Sequence, residues 1–170
     1  MSDELPPTFK HVTVWLVLGG AIFLAFLWHE REQKRSNFVA RGDVVEIRRA
    51  ADGHYHWPGT LNGREVDFLV DTGATGVAIP RELARELKLP VEGTTRSMTA
   101  GGEVRGEVVR ADLALAGGVR VTRARMVALP ALESPLLGMD VLGRLPWQQR
   151  NNMLVFDLRP DAPASGRSAP

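Results

Sequence analysis

Turn signals divide the chain from residue 44 onward into short runs of alternating apolar and polar residues. Alternation with a period of two is typical of strands that bury one face, and Asn-Gly between two such runs is a strong hairpin signal. Asn62-Gly63 lies in this way between the runs 54–61 and 64–70, and it favours a type I′ turn. Short strands joined by tight turns predict a small, mostly antiparallel β domain.

Helical signals are few in this part of the chain. Pro80 is suited to a helix start, and the segment 81–89 that follows it has leucines at i, i+4 spacing. The segment MDVLGRL (139–145) predicts a second, shorter helix, and Asn151-Asn152 predicts the turn of a closing hairpin. The sequence therefore predicts a mostly β domain at 44–158 with one or two short helices.

One long apolar run precedes this domain. Residues 12–28 carry no charge, and their length is at the short end of the ~17–25 residues that a membrane-spanning helix requires. A cleaved signal peptide would have a small-residue cleavage site, which the following WHEREQKR lacks, and an amphipathic core helix would have a polar face. We therefore expect a single transmembrane helix. The predicted order is an N-terminal tail (1–11), the transmembrane helix (12–28), a charged linker (29–43), the β domain (44–158) and a disordered tail (159–170).

Charge and composition exclude several classes of function. The 21 basic and 20 acidic side chains give a net charge of +1, which does not indicate nucleic acid as a partner. The chain has no cysteine, so disulfides, thiolate zinc sites and a cysteine nucleophile are excluded. His54 and His56 alternate along a predicted strand without a third ligand, so we expect an exposed strand face there, no metal and no cofactor.

The segment FLVDTGATG (68–76) carries the clearest chemical signal. An apolar strand leads directly into Asp71, and Thr72 and Gly73 follow in a turn of small residues. Glycine allows a ligand to approach the backbone closely, and a threonine hydroxyl can bond neighbouring backbone. Such a turn suits a carboxylate that is held rigidly in a cleft for general acid–base catalysis. The alternative is an aspartate that caps a loop or a helix, which is common for a lone Asp-Thr-Gly.

Several motifs occur together in the order typical of one family. They are Asn62-Gly63, Asp71-Thr72-Gly73-Ala74, Thr99-Ala100-Gly101-Gly102 and Leu136-Leu137-Gly138. On these motifs the chain from Gly53 to Leu158 resembles the retropepsin-like aspartic proteases, and most closely their bacterial membrane-anchored branch. The resemblance implies the half-barrel domain of a small acid protease, preceded here by the transmembrane helix.

The resemblance assigns roles to the residues of the Asp-Thr-Gly loop. It implies that Asp71 is the catalytic carboxylate and that Thr72 hydrogen-bonds across a dimer to hold both loops in place. Gly73 and Ala74 are expected to present their backbone to the substrate. Thr75 stands where retroviral members often have an aspartate, so the substrate contacts of this chain are expected to differ from theirs.

Three further segments receive roles from the same resemblance. The segment 96–105 is expected to be a flap that closes over bound peptide. Its tip residues are expected to be Thr99, Ala100, Gly101 and Gly102. Leu137 and Gly138 are expected to pack behind the catalytic loop. The segment MLVFDL (153–158) is our candidate for a strand in a sheet between two subunits.

The function implied is that of a membrane-anchored aspartic endopeptidase that acts on polypeptides as a homodimer. Each chain has one Asp-Thr-Gly, so Asp71 of a second copy is expected to complete the catalytic dyad. The expected place is the bacterial inner membrane, with residues 12–28 in the bilayer. Flank charges favour a cytoplasmic domain, whereas the resemblance favours a periplasmic one. The alternative function is an inactive binding or assembly module that keeps the same fold.

Overall fold

The computed structural model of the protein describes residues 15, 16, 18–20, 23, 37–99 and 102–159. The chain divides into two units, Met1–Ser36 and Asn37–Pro170. In the first unit, every described residue is helical. No helix within the described residues is both long and apolar enough to cross a membrane. Most of the predicted transmembrane segment lies outside the described residues. The predicted tail 1–11 and all but the first residue of the predicted tail 159–170 also lie outside them.

The second unit is mostly β where the structure describes it, as the sequence predicts. The strands are β1 (Phe38–Arg41), β2 (Val44–Arg48), β3 (His56–Leu61), β4 (Arg64–Val70), β5 (Ala78–Pro80), β6 (Gly93–Thr99), β7 (Gly102–Leu115), β8 (Arg120–Leu129), β9 (Leu136–Leu137), β10 (Trp147–Arg150) and β11 (Met153–Asp157). The helices are α1 (Arg81–Glu86) and α2 (Met139–Leu142). These strands form two sheets.

The smaller sheet joins the two ends of the domain. Its strand order is β1-β2-β11-β10, and all neighbouring strands are antiparallel. Val45 and Ile47 of β2 and Leu154 and Phe156 of β11 are buried, because every second residue of each strand faces the core. Strand β1 lies within the segment 29–43 that the sequence analysis assigned to a linker, so the sheet begins earlier than predicted.

Strand β11 lies in the interior of this sheet. It pairs with β2 along one edge and with β10 along the other. The sequence predicts that the segment 153–158 forms a strand in a sheet between two subunits. The structure differs because both hydrogen-bonding edges of β11 are already occupied by strands of the same chain. In the described part of the chain, the outer edges of this sheet belong to β1 and β10.

The larger sheet closes on itself. Its order is β3-β4-β9-β5-β8-β7-β6, and β3 also pairs with β7. Six of the seven strands therefore form a ring, and β6 extends outside it. Gly59 is required where the ring closes, since a Cβ at this position would lie 2.6 Å from the carbonyl oxygen of Ala114. The pairs β4–β9 and β5–β8 are parallel, and the remaining pairs are antiparallel.

An aromatic pair packs the two sheets together. Trp57 of β3 and Phe156 of β11 are fully buried, and their ring centroids lie 4.4 Å apart. The Trp57 indole donates a hydrogen bond to the carbonyl oxygen of Ala116 (2.8 Å), so its N–H is not left unpaired in the core. Full burial of one such side chain stabilises a fold by about 1.5–3 kcal/mol. This contact fixes β3, and with it β4, against the smaller sheet.

The predicted turns have the expected backbone conformation. Asn62 (φ 48°) and Gly63 (φ 83°) both lie in the left-handed region, as a type I′ hairpin turn requires. Asn151 and Asn152 do the same between β10 and β11, with φ of 45° and 60°. Helix α1 ends at Glu86, earlier than the predicted 89, and the chain leaves the helical conformation at Lys88 (φ 51°).

Candidate active site

Asp71 follows the last residue of β4. Leu69 and Val70 pair in parallel with Leu136 and Leu137 of β9, and the Asp71 N–H continues this ladder by donating to the Leu137 carbonyl (3.0 Å). The backbone of Asp71 is therefore held by the sheet while its side chain projects from the strand end. The residue is half-buried.

The loop itself orients the carboxylate. Asp71 Oδ1 accepts a hydrogen bond from the Gly73 N–H (2.8 Å), and the Asp71 carbonyl accepts one from the Ala74 N–H (3.3 Å). A Cβ at residue 73 would lie 3.2 Å from Oδ1, which is a tight contact. Among the described residues, Asp71 Oδ2 has no hydrogen-bond partner. Thr72, Gly73 and Thr75 are exposed, so the loop is open to solvent on this side.

The segment that begins with β9 lies directly behind this loop. A Cβ at Gly138 would lie 2.4 Å from the carbonyl oxygen of Gly76, so only glycine permits this approach. Next in the chain, the Met139 N–H donates to the carbonyl of Ala74 (2.9 Å), and the Asp140 N–H donates to that of Thr75 (3.1 Å). The first two residues of α2 thus hold the far side of the loop. Leu137 is fully buried and Gly138 lies against the backbone of Gly76. That the two residues support a catalytic loop stays a prediction.

Asp140 is a residue of this site that the sequence analysis missed. Its Oδ2 is 3.4 Å from the position of a Cβ at Gly76, and its Oδ1 is buried without a hydrogen-bond partner among the described residues. The motif Leu-Leu-Gly indicates where the backbone approaches the loop, but it does not show which way the next carboxylate points. Asp140 lies behind the loop, whereas Asp71 lies at its open side.

The described residues of the predicted flap segment 96–105 belong to β6 and β7. The two strands pair in register from Gly93↔Val108 to Thr99↔Gly102. Gly102 has a φ of +104°, which favours glycine, and the nearby Met98 side chain is 80% exposed. The predicted tip residues Ala100 and Gly101 lie outside the described residues. Thr99 and Gly102 are the last residues described on either side of the tip.

The two histidines that the sequence suggests as possible metal ligands, His54 and His56, lie next to aspartate carboxylates. His56 lies between two carboxylates at hydrogen-bond distance, with Asp52 at one ring nitrogen and Asp67 at the other. His54 lies 3.7 Å from Asp52 on the exposed turn. Within 37–99 and 102–159, no group of three or more potential ligands is arranged to hold a metal ion.

A cavity of about 540 Å³ lies elsewhere in the domain. It opens between the β7–β8 turn, the segment after α2 and the end of β11. No residue of the loop 71–76 lines it. At its rim, the hydrogen bond from the Arg159 guanidinium holds the pKa of Asp157 below its usual value. This cavity is therefore separate from the Asp71 site.

Comparison with known proteins matches the chain to a protein family. A family model described as aspartyl protease matches residues 57–141, which is half of the chain. An uncharacterized protein from Rickettsia prowazekii is 30% identical over 106 residues, covering 61% of this chain and 46% of that protein. An uncharacterized protein from Sinorhizobium sp. is 24% identical over 156 residues, covering 80% of this chain and 67% of that protein. The chain thus spans about half the length of the Rickettsia prowazekii relative.

One solved structure shares the fold over most of its length. The crystal structure of a retropepsin-like aspartic protease from Rickettsia conorii superposes with a TM-score of 0.54 at 23% identity. The match covers 66% of this chain and 89% of that one. At this identity the likeness concerns the fold, and the family model independently includes the Asp71 loop and the segment behind it. This chain belongs to the aspartyl protease family and has the retropepsin-like fold.

Proposed function

We propose that this chain is an aspartic endopeptidase in which Asp71 of two copies forms the catalytic dyad. The observation that supports the proposal best is the hydrogen bonding of the Asp71 carboxylate. One oxygen is held by the Gly73 N–H at 2.8 Å, and the other has no partner among the described residues. A carboxylate that must take a proton from water needs both a fixed orientation and an open oxygen.

The chemistry requires a second carboxylate. The loop 71–76 contains one acidic residue, so the proposal takes the second from another copy of the chain. Two carboxylates at contact distance cannot both ionise cheaply, so they share one proton. The ionised member takes a proton from a bound water, which attacks the scissile carbonyl. The protonated member donates a hydrogen bond to the carbonyl oxygen.

The surrounding elements suit a polypeptide substrate. Thr72 faces the second loop in the proposed dimer, and the exposed Gly73 and the half-buried Ala74 lie beside the peptide. Thr75 lies at the end of this surface. The β6–β7 hairpin, with Thr99 and Gly102 beside its tip, is the proposed flap. The mechanism requires neither a metal nor a cofactor, because the two carboxylates themselves activate the water and hydrogen-bond the scissile carbonyl.

Replacement of Asp71 tests the assignment. Asp71→Asn keeps the shape of the side chain but removes the base, so peptide cleavage by the full chain is expected to fall by at least ~10²-fold. Glu82→Gln, a charge-neutralising change at an exposed position of α1, is the matched control and is expected to leave cleavage unchanged. Circular dichroism of both variants checks the fold. Cleavage by Asp71→Asn within about tenfold of wild type would contradict the assignment of Asp71, whereas absence of cleavage by the wild type would favour the binding-module alternative.

Membrane anchoring belongs to the same proposal. The described residues of the N-terminal unit include Trp15, Leu16 and Phe23, whose apolar side chains are 71%, 72% and 62% exposed. An exposed apolar helix is stabilised by a lipid environment. We place residues 12–28 in a bacterial inner membrane, with the β domain on the periplasmic side.

Fractionation and protease access test this placement. The full chain is expected to stay with the membrane pellet after carbonate extraction, and a variant lacking residues 12–28 is expected to become soluble. Protease added to cells with a permeabilised outer membrane is expected to degrade the β domain. Release of the full chain by carbonate contradicts the anchor, and protection of the domain until the inner membrane is broken contradicts the periplasmic side.

A further inference from the structure

The hairpin of β6 and β7 is joined to the rest of the domain along only part of its length. We call residues 93–99 and 102–106 the flap hairpin. Strand β7 pairs with β8 only from Glu107 onward, so its residues 102–106 pair with β6 alone. Apart from Gly106, no residue of the flap hairpin with a described side chain is buried. Few buried contacts place a segment at the low-stability end of a fold, so we expect this hairpin to move as a unit.

The base of the flap hairpin lies close against the end of β8. A Cβ at Gly106 would lie 2.4 Å from Cγ1 of Val127, 2.9 Å from Cδ2 of Leu129 and 3.3 Å from the carbonyl oxygen of Ala128. The next residue, Glu107, is the first of β7 that pairs with β8. The hairpin therefore leaves the ring of strands between Gly106 and Glu107, and this is the point about which it can turn.

Arg81 contacts β7 on both sides of this point. It is the first residue of α1. Its Nη2 donates a hydrogen bond to the carbonyl oxygen of Arg105 (3.4 Å), and its Nε lies 3.4 Å from Oε1 of Glu107. Arg105 belongs to the flap hairpin, whereas Glu107 belongs to the part of β7 that is fixed in the ring. One guanidinium thus joins the hairpin, the ring and α1.

The ion pair of Arg81 and Glu107 is partly shielded from water. Its side chains are 23% and 28% exposed, whereas those of Arg64 and Glu86, a pair at the other end of α1, are 61% and 60% exposed. The Arg81 Nε is buried and makes no hydrogen bond within the described residues, so the Glu107 carboxylate compensates its charge. A shielded pair is screened less by salt, and loss of one partner leaves the other charge uncompensated. Glu107 therefore orients the guanidinium that contacts Arg105.

A short buried segment connects Arg81 to the Asp71 loop. Four residues separate Arg81 from Gly76 at the end of the loop, and 77–79 are buried. Strand β5 within this segment pairs with both β8 and β9. The position of Arg81 relative to the loop is therefore fixed by the sheet. A flap hairpin held by Arg81 is held at a defined place relative to Asp71.

We propose that Arg81 is a positioning residue for peptide binding: its guanidinium, oriented by Glu107, holds the base of the flap hairpin so that the hairpin retains a peptide at Asp71. The inference rests on the proposed function for its effect on cleavage. Its structural part, the hold of Arg81 and Glu107 on the flap hairpin, does not depend on catalysis. The two parts are therefore tested separately.

Hydrogen exchange of the full chain tests the structural part. In an Asp71→Asn background, amide exchange of the flap hairpin is measured in Arg81→Gln, in Glu107→Gln and in the double variant. Each single change is expected to speed this exchange by about threefold to tenfold, between the effects typical of exposed and buried pairs, and to leave residues 109–113 unchanged. The double variant is expected to exchange about as fast as either single variant, because both residues act through one contact. Unchanged exchange, or single effects that multiply in the double variant, overturns the proposal.

Arg64→Gln is the matched control. It removes the same charge from an ion pair with α1, since Arg64 lies 3.7 Å from Glu86, but this pair does not include β7. Exchange of the flap hairpin is expected to stay as in the background. Equal acceleration by Arg64→Gln and Arg81→Gln would overturn the proposal, because the charge near α1 and not the contact with β7 would then control the hairpin.

A conservative variant guards against simple loss of folding. Arg81→Lys keeps the positive charge but replaces a planar group that contacts two partners through two nitrogens by a single ammonium. Faster exchange of the flap hairpin than in the background is expected. If Arg81→Gln does not fold, unchanged exchange in both Arg81→Lys and Glu107→Gln overturns the proposal.

Peptide cleavage by the full chain tests the catalytic part. A hairpin that retains the peptide less well weakens binding of the ground state and the transition state equally. Arg81→Gln and Glu107→Gln are therefore expected to raise KM by about threefold to tenfold and to keep kcat within about twofold. A merely structural residue would lower the amount of folded enzyme, so a fall in kcat with unchanged KM overturns the positioning role. If the wild type cleaves no peptide while exchange of the flap hairpin depends on Arg81 and Glu107, the proposed function fails and the contact stands.

Discussion

Gly138 sets how closely the start of α2 can approach the Asp71 loop. Its backbone is extended at φ −96° and ψ −178°, a conformation that any residue adopts, so the need for glycine is purely steric. A Cβ there would lie 2.4–2.7 Å from three backbone atoms of Gly76. Backbone atoms cannot rotate away as the end of a flexible side chain can. The two N–H bonds from α2 to the loop depend on this approach.

Gly138→Ala is therefore expected to destabilise the domain by about 1–3 kcal/mol, as overpacking typically does. It is also expected to lower cleavage, because the loop must move away from α2. Denaturant unfolding of the full chain measures the first effect. Gly93→Ala is the matched control, since a Cβ at Gly93 meets nothing within 4 Å, and its stability change is expected to stay within about 0.5 kcal/mol. If Gly138→Ala and Gly93→Ala have the same free energy of unfolding, the loop shifts away from α2 without loss of stability.

The sequence predicts some residues of the candidate site better than others. Asp71, Thr72 and Gly73 are adjacent in the chain, so the motif itself brings them together. Asp140 comes from a separate segment, and only the pairing of β4 with β9 brings it near the loop. Local pattern carries no information about such pairings.

At the scale of elements, the sequence predicts strands that have both a clear alternation and a strong turn. Strand β4 agrees with its predicted bounds 64–70, because Phe68 and Val70 are buried on one side and Asn62-Gly63 fixes the hairpin. Strand β1 was missed. It has only four residues, none of them fully buried, and it follows a charged stretch, so its pairing with β2 determines its conformation.

The position of β11 shows a second limit of the pattern. The buried residues Leu154 and Phe156 confirm the alternation that predicted a strand. Alternation shows which face is buried, but it does not show which strand lies at either edge. Pairing with β2 and β10 occupies both edges. A second copy of the chain that extends this sheet must therefore add at β1 or β10.

At the scale of the whole molecule, the proposed mechanism requires two copies of the chain for catalysis. Each chain has one Asp-Thr-Gly and so supplies one catalytic aspartate, Asp71. The mechanism needs two such carboxylates, which share a proton. Two identical loops that face each other must be related by a two-fold axis, so the interface uses the same surface of both copies. The exposed position of Thr72 beside Asp71 is consistent with a place near that axis. Confinement to a membrane would raise the effective concentration of both copies.

Mixing active and inactive full chains tests this requirement. With a ninefold excess of Asp71→Asn chains and free exchange of subunits, only about one tenth of wild-type chains have a wild-type partner, so cleavage per wild-type chain is expected to fall about tenfold. Saturating substrate prevents the inactive chains from acting by sequestering it. The inhibition is also expected to develop over the time of subunit exchange, whereas sequestration would act at once. Cleavage per wild-type chain that stays constant at every mixing ratio, after exchange has been verified with labelled chains, would rule out the shared dyad.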